Sequence, residues 1–125
     1  MISGIGTDIL EAARMAAGMR NRRFCLRVFT EEELYYCSGK PIESAAGLFA
    51  AKEAAVKAAG VGFKGFWPCD VEITHDVSGM PVVRPRGVFK DICNAKRIHI
   101  YVSISHTKDI AFAAAVAETA EGENV

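Results

Sequence analysis

The chain has 125 residues, half of them apolar, and fifteen basic residues balance fifteen acidic ones. That length suits one domain with its own hydrophobic core, and the charge balance excludes both a disordered chain and a general attraction to nucleic acid. No stretch approaches the roughly 20 apolar residues of a membrane span, and the opening MISGIGTDILEAARM has no basic segment followed by a long apolar run, so a soluble, cytoplasmic protein is expected, not inserted into a membrane.

Residues 2–9, ISGIGTDI, combine β-formers with two glycines and place Asp8 near the end, which reads as an initial, irregular strand. From about 11 to 27, mixed basic and apolar positions predict one or two short helices. Arg14, Arg20, Arg22, Arg23 and Arg27 fall in this stretch with no acid among residues 14–27, a positive patch if the segment is compact. A solvated face that serves only solubility is the plainer alternative. In FTEEELYYC, Thr30 and Glu33 match a capping box, with Phe29 and Leu34 placed to pack around the helix entry, and a helix from 31 to about 37 follows. SGK at 38–40 breaks it. Pro41 suits the first turn of the next and longest helix, which runs to Ala59 with Gly60 as its stop.

CDVEITH at 69–75 alternates as a strand, DVSG turns the chain, and MPVVR completes a hairpin. In GVFKDICNAKR, at 87–97, Val88, Ile92 and Ala95 stand at helical spacing. IHIYVSI then alternates with Ile98, Ile100, Val102 and Ile104 on one face, and SHTKD leads into a last strand, IAFAAAVAE. This order predicts a single α+β domain over 1–118, a small antiparallel sheet packed against the long alanine-rich helix, with 119–125 as a mobile tail. Cys25, Cys37, Cys69 and Cys93 show neither CxxC spacing nor a nearby histidine pair, which argues against zinc and for reduced cytosolic thiols.

Phe49, Glu53 and Lys57 recur every four residues along FAAKEAAVKAAG, on one stripe of a helix whose alanines permit close approach. Taken alone, an exposed Glu53 and Lys57 pair is worth only about 0.3–0.5 kcal/mol. Asp8 changes the weighing, because a carboxylate in an apolar strand is costly unless it is paired or metal-bound. Asp8 and Glu53 converging on one cation would suit magnesium, which keeps water and uses few protein ligands, and Lys57 could then neutralise phosphate charge. Ser103, Ser105 and His106 lack a GxSxG elbow and an oriented acid, so His106 at a strand end reads as structural or as a ligand contact. The glycines of GIGTD and GVGFKG do not form a GxGxxG fingerprint and read as turn or close-approach positions.

Taken together, GIGTDILE at 4–11, FAAKEAAVKAAGVG at 49–62, VSISHT at 102–107, and DVEI followed by a G-M-P turn within 70–81 resemble the bacterial holo-[acyl-carrier-protein] synthase family, short 4′-phosphopantetheinyl transferases. The resemblance implies transfer of 4′-phosphopantetheine from coenzyme A to a serine of apo acyl carrier protein, with release of adenosine 3′,5′-bisphosphate. It also implies a homotrimer with active sites at subunit interfaces. It matches Asp8 and Glu53 to magnesium ligands, Lys57 to an active-site lysine, and Lys52, Gly60, Gly62, Ser105, His106 and Thr107 to contacts with coenzyme A. Arg14, and with it Arg20, Arg22, Arg23 and Arg27, matches a basic helix that docks the acidic carrier. Leu48 departs from the resemblance, standing where many members carry arginine; a phosphate contact is then missing or supplied by Lys52, Lys64 or Arg86. That departure motivates the alternative of a module that binds coenzyme A or the carrier without turnover.

Overall fold

The computed structural model describes residues 1–120. Strand β1 (Ile2–Glu11) leads into three short helices, α1 (Ala12–Met19), α2 (Arg22–Val28) and α3 (Glu31–Cys37), and then the long helix α4 (Ile42–Ala58). A 3-10 turn at Pro68–Asp70 precedes a hairpin of β2 (Val71–His75) and β3 (Pro81–Pro85). Helix α5 (Gly87–Lys96) and the strands β4 (Ile98–His106) and β5 (Ile110–Thr119) follow.

Alanine, the strongest helix former, fills α4, and almost every residue from Ala45 to Ala58 is buried, so this helix is the axis of the core and not a surface element. Pro41 sits just outside it as the N-terminal cap, one residue before the observed start and not in the first turn as expected, and Gly60 follows its end with φ of 77°. β1, β5 and β4 form an antiparallel sheet in that order, and the β2–β3 hairpin makes a separate two-stranded sheet. All three strands of the larger sheet pack on α4.

β1 inverts the usual rule for a half-buried strand. Gly4, Gly6, Asp8 and Leu10 face the helix while Ile5 and Ile9 face outward, 72% and 65% exposed. The reason is distance: a Cβ on Gly6 would run into the Ala54 carbonyl, the Ala58 amide and the Lys57 side chain, and one on Gly4 into the Ala58 carbonyl. Strand and helix approach this closely only because neither offers a large side chain at the contact.

Thr30 and Glu33 form the expected capping box at the start of α3. In the hairpin turn, Asp76 Oδ1 accepts from the Ser78 and Met80 amides at 2.9 and 3.0 Å, and Gly79 takes a positive φ of 89°. Ile98, Ile100, Val102 and Ile104 share the inward face of β4. The last strand runs just past the expected boundary at 118. β5 continues to Thr119, whose amide and hydroxyl both donate to the Met1 carbonyl, and the Ala120 amide donates to the Arg97 carbonyl. The rest of the expected tail, 121–125, lies outside the described residues.

Candidate active site

Asp8 reaches the helix side of the sheet because alternation along β1 puts it on the same face as Gly4 and Gly6. Glu53 and Lys57 meet it from α4, one turn apart. Lys57 Nζ donates to the Thr7 carbonyl at 2.9 Å and lies 3.4 Å from Asp8 Oδ1. The Glu53 carboxyl is pushed above its ordinary range, first by burial and then by the negative charge of Asp8, with Lys57 working against both. Two carboxylates and one ammonium are thus held together at the edge of the core. Phe49, on the same helical stripe, stands apart and packs edge-on against Phe24 with ring centroids 6.0 Å apart.

Lys52 does not join this group. Its side chain is fully buried and its Nζ donates to both Glu33 carboxylate oxygens at 2.8 and 2.7 Å, to the Val71 carbonyl at 2.8 Å and to the Pro68 carbonyl at 3.2 Å. Burial lowers its ammonium from the ordinary value and the Glu33 carboxylate opposes that shift. The expectation that Lys52 contacts coenzyme A is corrected: one residue along a helix is a rotation of about 100°, and that step turns Lys52 into the core while Glu53 faces the sheet. Glu33 carries a second load, accepting from the Thr30 and Ile73 amides at 2.9 and 2.8 Å. Its buried role was missed in the sequence; the capping box signalled only the bond to Thr30.

Of the remaining candidates, Gly60 and His106 line two different clefts. Gly60 lines a cleft of about 450 Å³ with Lys57, Ser3, Gly4 and Lys96. His106 lines another of about 180 Å³ with Tyr36, Ser44, Leu48, His75 and Ile104. Ser105 is exposed on β4 beside Phe112 of β5, and the Thr107 hydroxyl accepts from the Asp109 and Ile110 amides, holding the β4–β5 turn. Gly62 is exposed and lines neither cleft. Of the residues that could replace the absent arginine at Leu48, Lys52 is buried, Arg86 lies 3.4 Å from Glu72, and Lys64 is exposed.

Arg14 lies exposed on α1, Arg20 follows its end, and Arg22, Arg23 and Arg27 are exposed on α2. The guanidinium of Arg27 stacks 4.4 Å above the ring centre of Trp67, a residue that no sequence motif singles out. All four cysteines are free, and burial pushes the Cys37 and Cys93 thiols up to about 11, which leaves both as inert thiols at neutral pH.

Residues 4–117 match the family model of the 4'-phosphopantetheinyl transferase superfamily. The holo-[acyl-carrier-protein] synthase of Clostridium tetani is 43% identical over 122 residues, covering 94% of this chain and 97% of the relative. The crystal structure of the Neisseria meningitidis holo-[acyl-carrier-protein] synthase superposes with a TM-score of 0.86 at 34% identity, over 95% of this chain and 100% of that one. A Bacillus anthracis holo-(acyl-carrier-protein) synthase, solved in complex with CoA (3',5'-ADP), gives a TM-score of 0.79 at 34% identity over 96% and 99% of the two chains.

Proposed function

The chain belongs to the 4′-phosphopantetheinyl transferase superfamily, and from that premise we propose that it acts as a holo-[acyl-carrier-protein] synthase, transferring 4′-phosphopantetheine from coenzyme A to a serine of apo acyl carrier protein. The observation that carries this reading is the meeting of Asp8, Glu53 and Lys57 between β1 and α4. In the reaction the serine oxygen forms a bond to the β-phosphorus of coenzyme A, the bond to the bridging oxygen breaks, and adenosine 3′,5′-bisphosphate leaves. A pyrophosphate repels an incoming oxygen, so the site must supply positive charge. Lys57, steadied by the Thr7 carbonyl and Asp8, directs one ammonium to the phosphates. Without a bound ion, burial and Asp8 raise the affinity of Glu53 for a proton; the serine proton passes to Glu53 or to a water beside it.

The two carboxylates also fit a magnesium ion. They are hard oxygen donors crowded together against a single lysine, and among the described residues no group of three or more His, Cys, Asp or Glu forms a closed metal cage. An ion held by Asp8 and Glu53 would therefore take its other ligands from water and substrate, as magnesium does. When bound it supplies further neutralisation of the pyrophosphate.

A homotrimer with sites shared between subunits accords with two features of the single chain. Ile5, Ile9, Tyr101, Ile110 and Phe112 stand exposed on the outer face of the large sheet, an apolar surface that another copy would cover. Lys57 and His106 line different clefts, so in this reading the acidic centre of one copy works with the His106 cleft of the next. The exposed arginines of α1 and α2 receive the acidic carrier, and the protein works in the cytoplasm; among the described residues no helix is long and apolar enough to cross a membrane. The test is the intact mass of an apo acyl carrier protein incubated with this protein and coenzyme A, with and without magnesium. A magnesium-dependent gain of one phosphopantetheine is expected; no gain with any of several carriers, from folded protein, would overturn the reading and favour a binding module.

A further inference from the structure

We propose that Trp67 is a carrier-specificity residue, forming with α2 a groove that takes an apolar side chain from an acidic helix of the carrier protein. The proposal rests on the carrier-docking reading above and adds to it a residue outside the arginine run. Phe24, Val28, Trp67 and Pro68 supply apolar walls, and Arg23 and Arg27 rim the groove, which measures about 330 Å³. Trp67 is 53% exposed, leaving one large face of its ring open to solvent. It is held in place by Arg27, whose guanidinium lies 4.4 Å from the ring centre, so the wall is already formed before any partner arrives.

The chemistry of the rim selects the occupant. Arg23 and Arg27 are four residues apart on α2, so their side chains are neighbours, at the spacing of two carboxylates one turn apart on a facing helix. An apolar residue between such carboxylates would enter the groove, with Trp67 as the kind of buried aromatic anchor that carries much of the affinity in protein interfaces. Nucleic acid fits less well, because the chain as a whole is neutral, with fifteen basic residues against fifteen acidic.

Trp67 is the single tryptophan of the chain, so its fluorescence reports directly on the groove. Titration of the wild-type protein with apo acyl carrier protein is expected to shift and quench this emission in a saturable way. Trp67→Ala should raise the KM for the carrier roughly tenfold or more, with kcat and the KM for coenzyme A near wild type, and Trp67→Phe should restore most of the loss. An unchanged carrier KM in Trp67→Ala, beside a raised one in Arg23→Glu, would overturn the groove while leaving docking on the arginines intact. If neither variant moved it, the docking reading would fail as well. Quenching by a short oligonucleotide but not by the carrier would also overturn the proposal.

Discussion

Replacing Lys52 by methionine isolates the charge at the centre of the core, because the two side chains are similar in length and little cavity is created. In the wild-type protein the Glu33 carboxylate is buried and receives both its ion pair from Lys52 and two backbone amides. Lys52→Met leaves that carboxylate buried with the amides alone and removes the Lys52 donor from the Val71 carbonyl and from the Pro68 carbonyl, which keeps the Val71 amide. Breaking one side of a buried pair in this way costs about 3–5 kcal/mol, a large part of the roughly 5–15 kcal/mol that separates a folded domain from its unfolded chain. With a urea m-value of about 2 kcal/mol/M, the unfolding midpoint should fall by roughly 2 M. Glu33→Gln strands the ammonium instead, and the double variant strands neither charge, so its loss should be smaller than the sum by at least about 1 kcal/mol. A midpoint for Lys52→Met within about 0.3 M of wild type, or strictly additive losses, would refute the claim that this pair pins α3, α4 and β2 together.

Gly6→Ala places a methyl group against the Ala54 carbonyl and Lys57; it should lower Tm by roughly 5–10 °C and, by parting β1 from α4, reduce kcat/KM more than a surface substitution of equal stability cost. Glu53 gives a pH signature. Its folded value lies above the ordinary 4.5, so the folded protein holds the proton longer, and stability falls as pH rises from 4.5 through the folded value and stays lowered at neutral pH. In metal-free buffer at pH 7 Glu53→Gln should therefore melt higher than wild type, the gap closing toward pH 4 in differential scanning calorimetry, whereas added magnesium should raise the Tm of the wild type and not of the variant.

The parts of the fold governed by local chemistry were legible in the sequence. Thr30 and Glu33 announce α3 because a capping box is a contact between neighbours in the chain, and Gly60 marks the end of α4 for a similarly local reason. The stripe of Glu53 and Lys57 could be read from helical spacing, and the strand position of Asp8 drew attention because a carboxylate there needs a partner. Lys52 could not be read in this way. Its partner Glu33 lies 19 residues away, and nothing in FAAKEA tells which of two adjacent charged residues turns inward. The outward Ile5 and Ile9 were hidden for a different reason: apolar residues on a strand are expected to face the core, but the close approach of α4 leaves room there only for Gly4 and Gly6. Trp67 escaped notice because its meaning depends on Arg27, forty residues earlier, reaching the same surface.

The assignment of Asp8, Glu53 and Lys57 as the reacting centre stands on their meeting between β1 and α4. It is tested most directly by the rate of phosphopantetheine transfer in Asp8→Asn, measured by carrier intact mass at saturating coenzyme A and magnesium, with circular dichroism and oligomeric state checked beside it. A folded protein with wild-type assembly is expected, its rate lowered roughly a hundredfold to a thousandfold. A rate near that of the wild type would contradict it.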